Sequence, residues 1–190
     1  MLSRSSVAIA LTFLALSVVP ARAQGGFISP FLGFSYGGDV AAVCQSLTNC
    51  DDRRMNWGVA LGKANGVLGF EAEIGYAKNF FGDTPNTNNS VLTVMSSLLV
   101  NVPAGPIRPY GLFGIGLVRP HASLDTSALN VTKNALGYDF GGGLNIFFTH
   151  GFGIRGDIRH IQTFEDLTLG IFESEKLSFW RGSAGLVFAF

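Results

Sequence analysis

Charged side chains are scarce in this 190-residue chain, so those that interrupt its apolar segments stand out. Glu71, Glu73, Asp139, Arg155, Asp157, Arg159 and Arg181 each take one side of an alternating apolar segment. Four are acidic and three basic. Charges in an interior are tolerated only when partnered. Such a set could form a static ion-pair plug or a gated, narrow ion path, and the plug is the expectation here. Cys44 and Cys50 form a second set, in Cys-x5-Cys spacing. Zinc would need two further ligands, and no His lies near in sequence. A redox pair usually has two residues between its cysteines, not five. The expectation is a disulfide closing a short loop, worth roughly 2–3 kcal/mol at most, with no metal and no cofactor. His160 is the third feature: Thr163 and Glu165 follow it, and Ser178 lies in the next apolar segment. A nucleophile activated by a base would suit acyl chemistry. The expected role is plainer, a His whose polar tip reaches lipid headgroups.

Eight apolar-rich segments must position these residues: about 26–37, 55–64, 67–80, 90–102, 107–119, 135–148, 152–164 and 177–190. Each is longer than the usual strand of a soluble protein and long enough to cross a bilayer at a tilt. The connections alternate in length. Gly38 to Arg54 is long and Asn65-Gly66 is a tight hairpin signal. Residues 82–89 are longer again, and 103–106 are short. Residues 120–134 are long, 149–151 short and 165–176 long. Short turns on one side and long loops on the other mark a transmembrane barrel.

Facing agrees. Phe70, Ala72, Ile74 and Tyr76 oppose Glu71, Glu73 and Gly75. Tyr138, Phe140, Leu144, Ile146 and Phe148 oppose Asp139, Gly141, Gly143 and Asn145. Phe152, Ile154 and Ile158 oppose Gly153, Arg155, Asp157 and Arg159. Trp57, Val59 and Leu61 oppose Asn56, Gly58, Ala60 and Gly62. The fourth segment follows more weakly, with Leu92, Val94, Leu98 and Val100 against Thr93, Met95, Ser97 and Asn101. The first and fifth are ambiguous. In a membrane barrel the apolar face meets lipid and the polar face the lumen. A soluble ligand-carrying barrel would reverse this, with charges outside. A composition of 14% charged and 47% hydrophobic residues supplies too few charges for that exterior. A formal net charge of zero also argues against a nucleic-acid partner.

The first 23 residues read separately. Arg4, the apolar run Val7 to Val19 and Ala21-Arg22-Ala23 form a secretory signal pattern, cleaved after Ala23. Residues 24–190 then form one domain. Removing Arg4 and Arg22 leaves 11 basic against 13 acidic residues. No stretch of this part approaches the 18 or so apolar residues of a membrane helix. Trp57, Tyr76, Phe80, Phe81, Tyr110, Phe147, Phe148, Phe164, Phe179 and Trp180 fall toward segment ends, as expected of interfacial girdles. Arg53, Arg54, Arg119 and Lys133 flank the long loops, where they suit either lipid phosphates or a plain solvated loop.

The last fourteen residues, Leu177-Ser178-Phe179-Trp180-Arg181-Gly182-Ser183-Ala184-Gly185-Leu186-Val187-Phe188-Ala189-Phe190, resemble the final strand of a bacterial outer-membrane protein. Arg155-Gly156-Asp157-Ile158-Arg159-His160 is similar to the penultimate strand of the small barrels related to OmpA and OmpX. The resemblance implies an outer-membrane location. It also implies that Ala184, Leu186, Phe188 and Phe190 form the C-terminal signal read by the barrel-assembly machinery. The chain leaves no room for a peptidoglycan-binding domain, so that role is not expected. Some outer-membrane barrels deacylate lipid A through a lipid-facing His, Ser and acid. The His-x-Ser order typical of them is missing here, because Gln162 stands two residues after His160.

The sequence therefore predicts an all-β fold, an eight-stranded antiparallel up-and-down transmembrane β-barrel with four external loops. The expected role is non-catalytic, structural or surface-interacting through loops 38–54 and 120–134, with lipid, lipopolysaccharide and a surface ligand or host factor as partners. The alternative is a narrow pore or small-solute transporter.

Overall fold

The computed structural model describes residues 25–37, 53–80, 87–124, 130–132, 134–164, 167–169, 172–174 and 176–190. The signal segment, Cys44, Cys50, Phe81, Lys133 and Glu165 lie outside them. Eight long strands form one ring: β1 (Gly26–Tyr36), β2 (Arg54–Asn65), β3 (Leu68–Lys78), β4 (Thr87–Asn101), β5 (Ile107–Leu124), β7 (Ala135–Phe147), β8 (Phe152–Thr163) and β11 (Ser178–Ala189). Each is antiparallel to its sequence neighbour in the ring. β4 pairs with β5, and β1 closes on β11 from Phe27↔Ala189 to Tyr36↔Trp180. The expected eight-stranded up-and-down barrel is what forms.

Turn chemistry sets one end of the ring. Gly66 carries φ +67° between β2 and β3, a left-handed conformation that costs glycine little. Gly105 does the same, at φ +69°, between β4 and β5. Gly26 and the C-terminal Phe190 meet at this short-turn end, where Phe190 O accepts from Gly26 N at 3.0 Å. The other three connections on the opposite end are the long ones, as is the closing segment between β8 and β11.

Outward side chains are apolar through the middle of every strand. Leu32 is 64% exposed, Phe113 60% and Ile74 51%. A continuous belt of this kind far exceeds the patches that water-soluble monomers expose. Among the described residues, outward-facing Lys and Arg of the strands fall only near strand ends: Lys63, Lys78 and Arg119. Hydrocarbon forbids charge at mid-height and headgroups accept it at the rims. Outward aromatics form two girdles. Trp57, Tyr76, Tyr138, Phe164 and Trp180 lie toward the long-loop end, with Trp57 and Tyr76 rings 5.8 Å apart. Phe148, Phe152 and Phe188 lie toward the other, the last two 5.4 Å apart.

Four aromatics expected in the girdles face inward instead. Phe80, Tyr110 and Phe179 are buried in the lumen, and Phe147 packs partly buried against it. Strand parity aims Tyr110, Phe147 and Phe179 inside, whereas Phe80 lies beyond the end of β3, after Asn79 at φ +54°. The two ambiguous strands have the same cause. β1 turns Phe27 and Phe31 inward, and β5 turns Tyr110, Leu112 and Val118 inward, so both faces of each strand look apolar.

The long connections also hold strand structure. β4 begins at Thr87 and β5 ends at Leu124, both beyond the expected limits. β6 (Asn130–Thr132) pairs with His121 to Ser123 of β5. β9 (Leu167–Leu169) and β10 (Phe172–Ser174) form a separate hairpin. These strands stand beyond the apolar belt. No lipid face imposes alternation on them, so their sequences carry no period-two signal.

Ile74 lies at mid-height on the lipid side of β3. Ile74→Arg is expected to lower the unfolding free energy in lipid vesicles by about 2–4 kcal/mol, measured by urea titration.

Candidate functional site

Among the described residues, buried polar chemistry gathers in the lumen, and it is layered. At the long-loop end Phe80, Val91, Met95, Val118, Ile161, Leu177 and Phe179 close into an apolar cluster, each 2% exposed or less. Phe80 and Phe179 meet edge to face, ring centroids 4.8 Å apart. At the short-turn end Phe27, Leu99, Tyr110, Leu112 and Val187 form a second apolar cluster. All seven charged residues singled out in the sequence lie in the lumen, and they form one network there.

Arg159 is the hub. Its Nη2 lies 2.8 Å from Glu71 Oε1 and 2.9 Å from Asp157 Oδ2. Its Nη1 lies 3.1 Å from Glu73 Oε2 and 3.5 Å from Asp139 Oδ2. One guanidinium thus touches all four carboxylates and is itself fully buried. The planar fork, with donors on two edges, makes this possible where an ammonium could not. Arg155 pairs with Glu71 and also reaches Asp157 at 3.2 Å. Arg181 pairs with Glu73.

Neutral groups complete the network, and the sequence did not single them out. Tyr110 Oη donates to Asp157 Oδ2 at 2.9 Å and accepts from Arg155 Nε at 2.7 Å. Ser97 Oγ donates to Asp139 at 3.2 Å, and Ser183 Oγ to Asp157 at 2.9 Å. Phe31 lies under the Arg181 guanidinium at 5.0 Å. Gly75 leaves the space for that arginine, since a Cβ there would fall 2.8 Å from Arg181 Nη1 and 2.8 Å from Thr93 Oγ1. Only the serine and tyrosine positions on the inward side of their strands could have flagged such partners, and β5 hid its inward side.

A network with this many partners, capped by the apolar cluster at the long-loop end, fills the lumen there and at mid-height. An eight-stranded ring has room for side chains and little more. The sequence profile of the outer membrane protein beta-barrel domain matches residues 7–189. The chain belongs to that family. No curated protein sequence matches it. Among solved structures, Neisserial surface protein A aligns with a TM-score of 0.64 at 15% identity, over 88% of this chain and 98% of that one. Ail, the attachment invasion locus protein of Yersinia pestis, aligns at 0.55 and 15%, over 87% and 99%. OprG from Pseudomonas aeruginosa aligns at 0.54 and 12%, over 88% and 97%.

This barrel therefore lies in the bacterial outer membrane. Family geometry puts short turns in the periplasm and long loops outside. Gly25 and Phe190 sit on the short-turn side. Ala184, Leu186, Phe188 and Phe190 of this outer-membrane barrel share the lipid-facing side of the closing strand.

His160 faces lipid near the external girdle, half-buried between Phe140 and Trp180, with ring centroids at 5.1 and 4.9 Å. Its Nε2 is hydrogen-bonded to Ser178 Oγ at 3.0 Å. The sequence placed these two near each other, and the structure joins them. Thr163, by contrast, turns into the lumen, where its Oγ1 accepts from Leu177 N at 3.0 Å. No described side chain hydrogen-bonds to His160 Nδ1. A catalytic histidine base is ordinarily oriented by a third group. Of the cations expected beside the loops, Arg53 and Arg119 are exposed, but Arg54 is turned inward and buried. Alternation puts Arg54 on the same side of β2 as Asn56.

Removing the hub leaves four carboxylates short of a partner in a dry interior. Arg159→Leu is expected to cost about 3–5 kcal/mol of stability in vesicles. Adding Asp139→Asn should recover part of that loss, and both follow from urea titration of the refolded variants.

Proposed function

We propose that this outer-membrane barrel is a non-conducting, non-catalytic scaffold that carries a surface-interaction role on its external loops. The observation that supports this reading is the lumen. The apolar cluster at the long-loop end closes over the ion-pair network that fills the middle of the lumen. A small-solute pore would need the Arg159 hub to release its carboxylates and Phe80 and Phe179 to part.

The external side gives the reading its second support. β4, β5 and β6 extend their pairing beyond the lipid belt, and the β9–β10 hairpin adds another projection. Loops on a rigid scaffold are where recognition usually resides. Outward Lys78 and Arg119 at the external rim suit the phosphates of lipopolysaccharide. Loops 38–54 and 120–134 would meet a surface ligand or host factor. Ail has been solved in complex with the heparin analogue sucrose octasulfate, a sulfated saccharide, with a TM-score of 0.56 and 14% identity to this chain. Cleavage after Ala23, a Cys44–Cys50 disulfide in the first external loop and recognition of the C-terminal strand by the assembly machinery belong to the same proposal.

Planar-bilayer recording of the refolded barrel, after a heat-dependent gel shift confirms folding, should show no discrete openings. Reproducible single-channel steps would overturn the scaffold reading in favour of the pore. Lipid A from cells with and without the protein should have the same mass spectrum. A lost acyl chain that returns with His160→Ala or Ser178→Ala would make it an enzyme. Replacing residues 125–129 by a short glycine turn should leave the gel shift unchanged and abolish attachment of expressing cells to host surfaces.

A further inference from the structure

A cavity of about 300 Å³ opens at the periplasmic end of the barrel, below the ion-pair network. Its lining separates into two parts. Phe27, Leu99, Phe147 and Val187 supply apolar wall. Among the described residues, the charged side chains lining it are Arg108 and Arg155, with no Asp or Glu. Arg108, Asn145 and Arg155 form a single row across β5, β7 and β8, by the pairs Arg108↔Asn145 and Asn145↔Arg155. Asn101 comes in from β4, opposite Tyr110.

Three buried polar atoms of this cavity make no hydrogen bond within the protein: Asn101 Nδ2, Asn145 Oδ1 and Arg155 Nη2. Asn101 is 7% exposed and Arg155 6%. Arg155 Nη2 has its ion-pair contact with Asp157 at 3.2 Å and nothing else of hydrogen-bonding geometry. Buried polar groups in native proteins are nearly always satisfied, so two donors and one acceptor left over beside an open cavity point to something that enters it. Both guanidiniums are held in place by rings. Arg108 lies 4.8 Å from the Phe147 centroid and also donates from Nε to Gly105 O at 3.1 Å. Arg155 lies 4.7 Å from the Tyr110 centroid and 5.7 Å from that of Phe27.

We propose that this vestibule is a binding site for a small organic carboxylate with an apolar body, open to the periplasm and closed toward the outside. Arg155 Nη2 and Asn101 Nδ2 donate to the carboxylate at the floor, and Arg108 holds the second edge of the anion at the mouth. The apolar wall takes the body of the ligand. Arg155 already meets Glu71 and Asp157, so the selection for negative charge rests on Arg108, which meets no carboxylate among the described residues and whose planar fork matches one. The ion-pair network above the floor makes the site a dead end, so binding there does not require passage. The site is independent of what the external loops do.

The test is titration of the intact ¹⁵N-labelled barrel in detergent micelles with benzoate, reading the side-chain resonances of Asn101, Asn145, Arg108 and Arg155. Saturable shifts at these four are expected, with none from benzyl alcohol, which has the same body and no charge. Arg108→Ala, at the exposed mouth, should weaken benzoate about tenfold while the heat-dependent gel shift stays as in the native protein. Asn101→Ala, folded by the same criterion, should weaken it too. Absence of saturable shifts would overturn the site. Equal shifts from benzyl alcohol would reduce it to an apolar cavity. Inorganic phosphate binding as well as benzoate would overturn the carboxylate assignment.

Discussion

Inside a bilayer an unpaired backbone N–H or C=O has no water to turn to. That constraint governs this molecule. A sheet crossing lipid must have no free edge, and the β1–β11 and β4–β5 pairings remove the edges that eight strands would otherwise leave. Closing at eight strands then makes the interior narrow. Every inward side chain must share that space. Long charged residues fit because glycines such as Gly75 stand beside them, and because the charges find one another.

Arg159 shows how the second consequence follows from the first. Four carboxylates arrive from β3, β7 and β8, brought to one height by strand register. Isolated, each would be strongly unfavourable there. A single guanidinium meets all four, and Arg155 and Arg181 share the load at its sides. Buried ion pairs seldom add much stability over a well-packed apolar core. Their use in this barrel is different: a polar inward face keeps lipid-facing and lumen-facing sides distinct, so that a strand slipped by one residue would put carboxylates into hydrocarbon. The network therefore serves register and closure together.

The two apolar clusters divide the lumen into unequal ends. The external one is packed shut by Phe80, Met95, Ile161 and Phe179. The periplasmic one leaves a polar-floored cavity. This asymmetry gives the barrel two separate faces for interaction, loops outside and a vestibule inside, with an ionic wall between them.

Much of this was legible in the chain itself. Strand number, loop alternation and the lipid-facing side of β2, β3, β4, β7 and β8 follow from local pattern, because lipid demands apolar residues at every second position. The seven lumen charges were legible for the same reason: a charge within such a pattern can only face inward. Where both faces of a strand are apolar, as in β1 and β5, pattern has no sign to read, and only pairing with neighbours shows which ring enters the lumen. Tyr110 of β5 is misplaced on that account, whereas Phe147 and Phe179 are assigned to the girdles by their nearness to strand ends rather than by parity, and Phe80 follows the left-handed Asn79 beyond β3. Which carboxylate meets which arginine was also beyond the sequence, since Glu71 and Arg159 are 88 positions apart and meet only through ring closure. The same holds for the row of Arg108, Asn145 and Arg155. Local alternation decides which way a side chain points; the register of a closed barrel decides what it meets there.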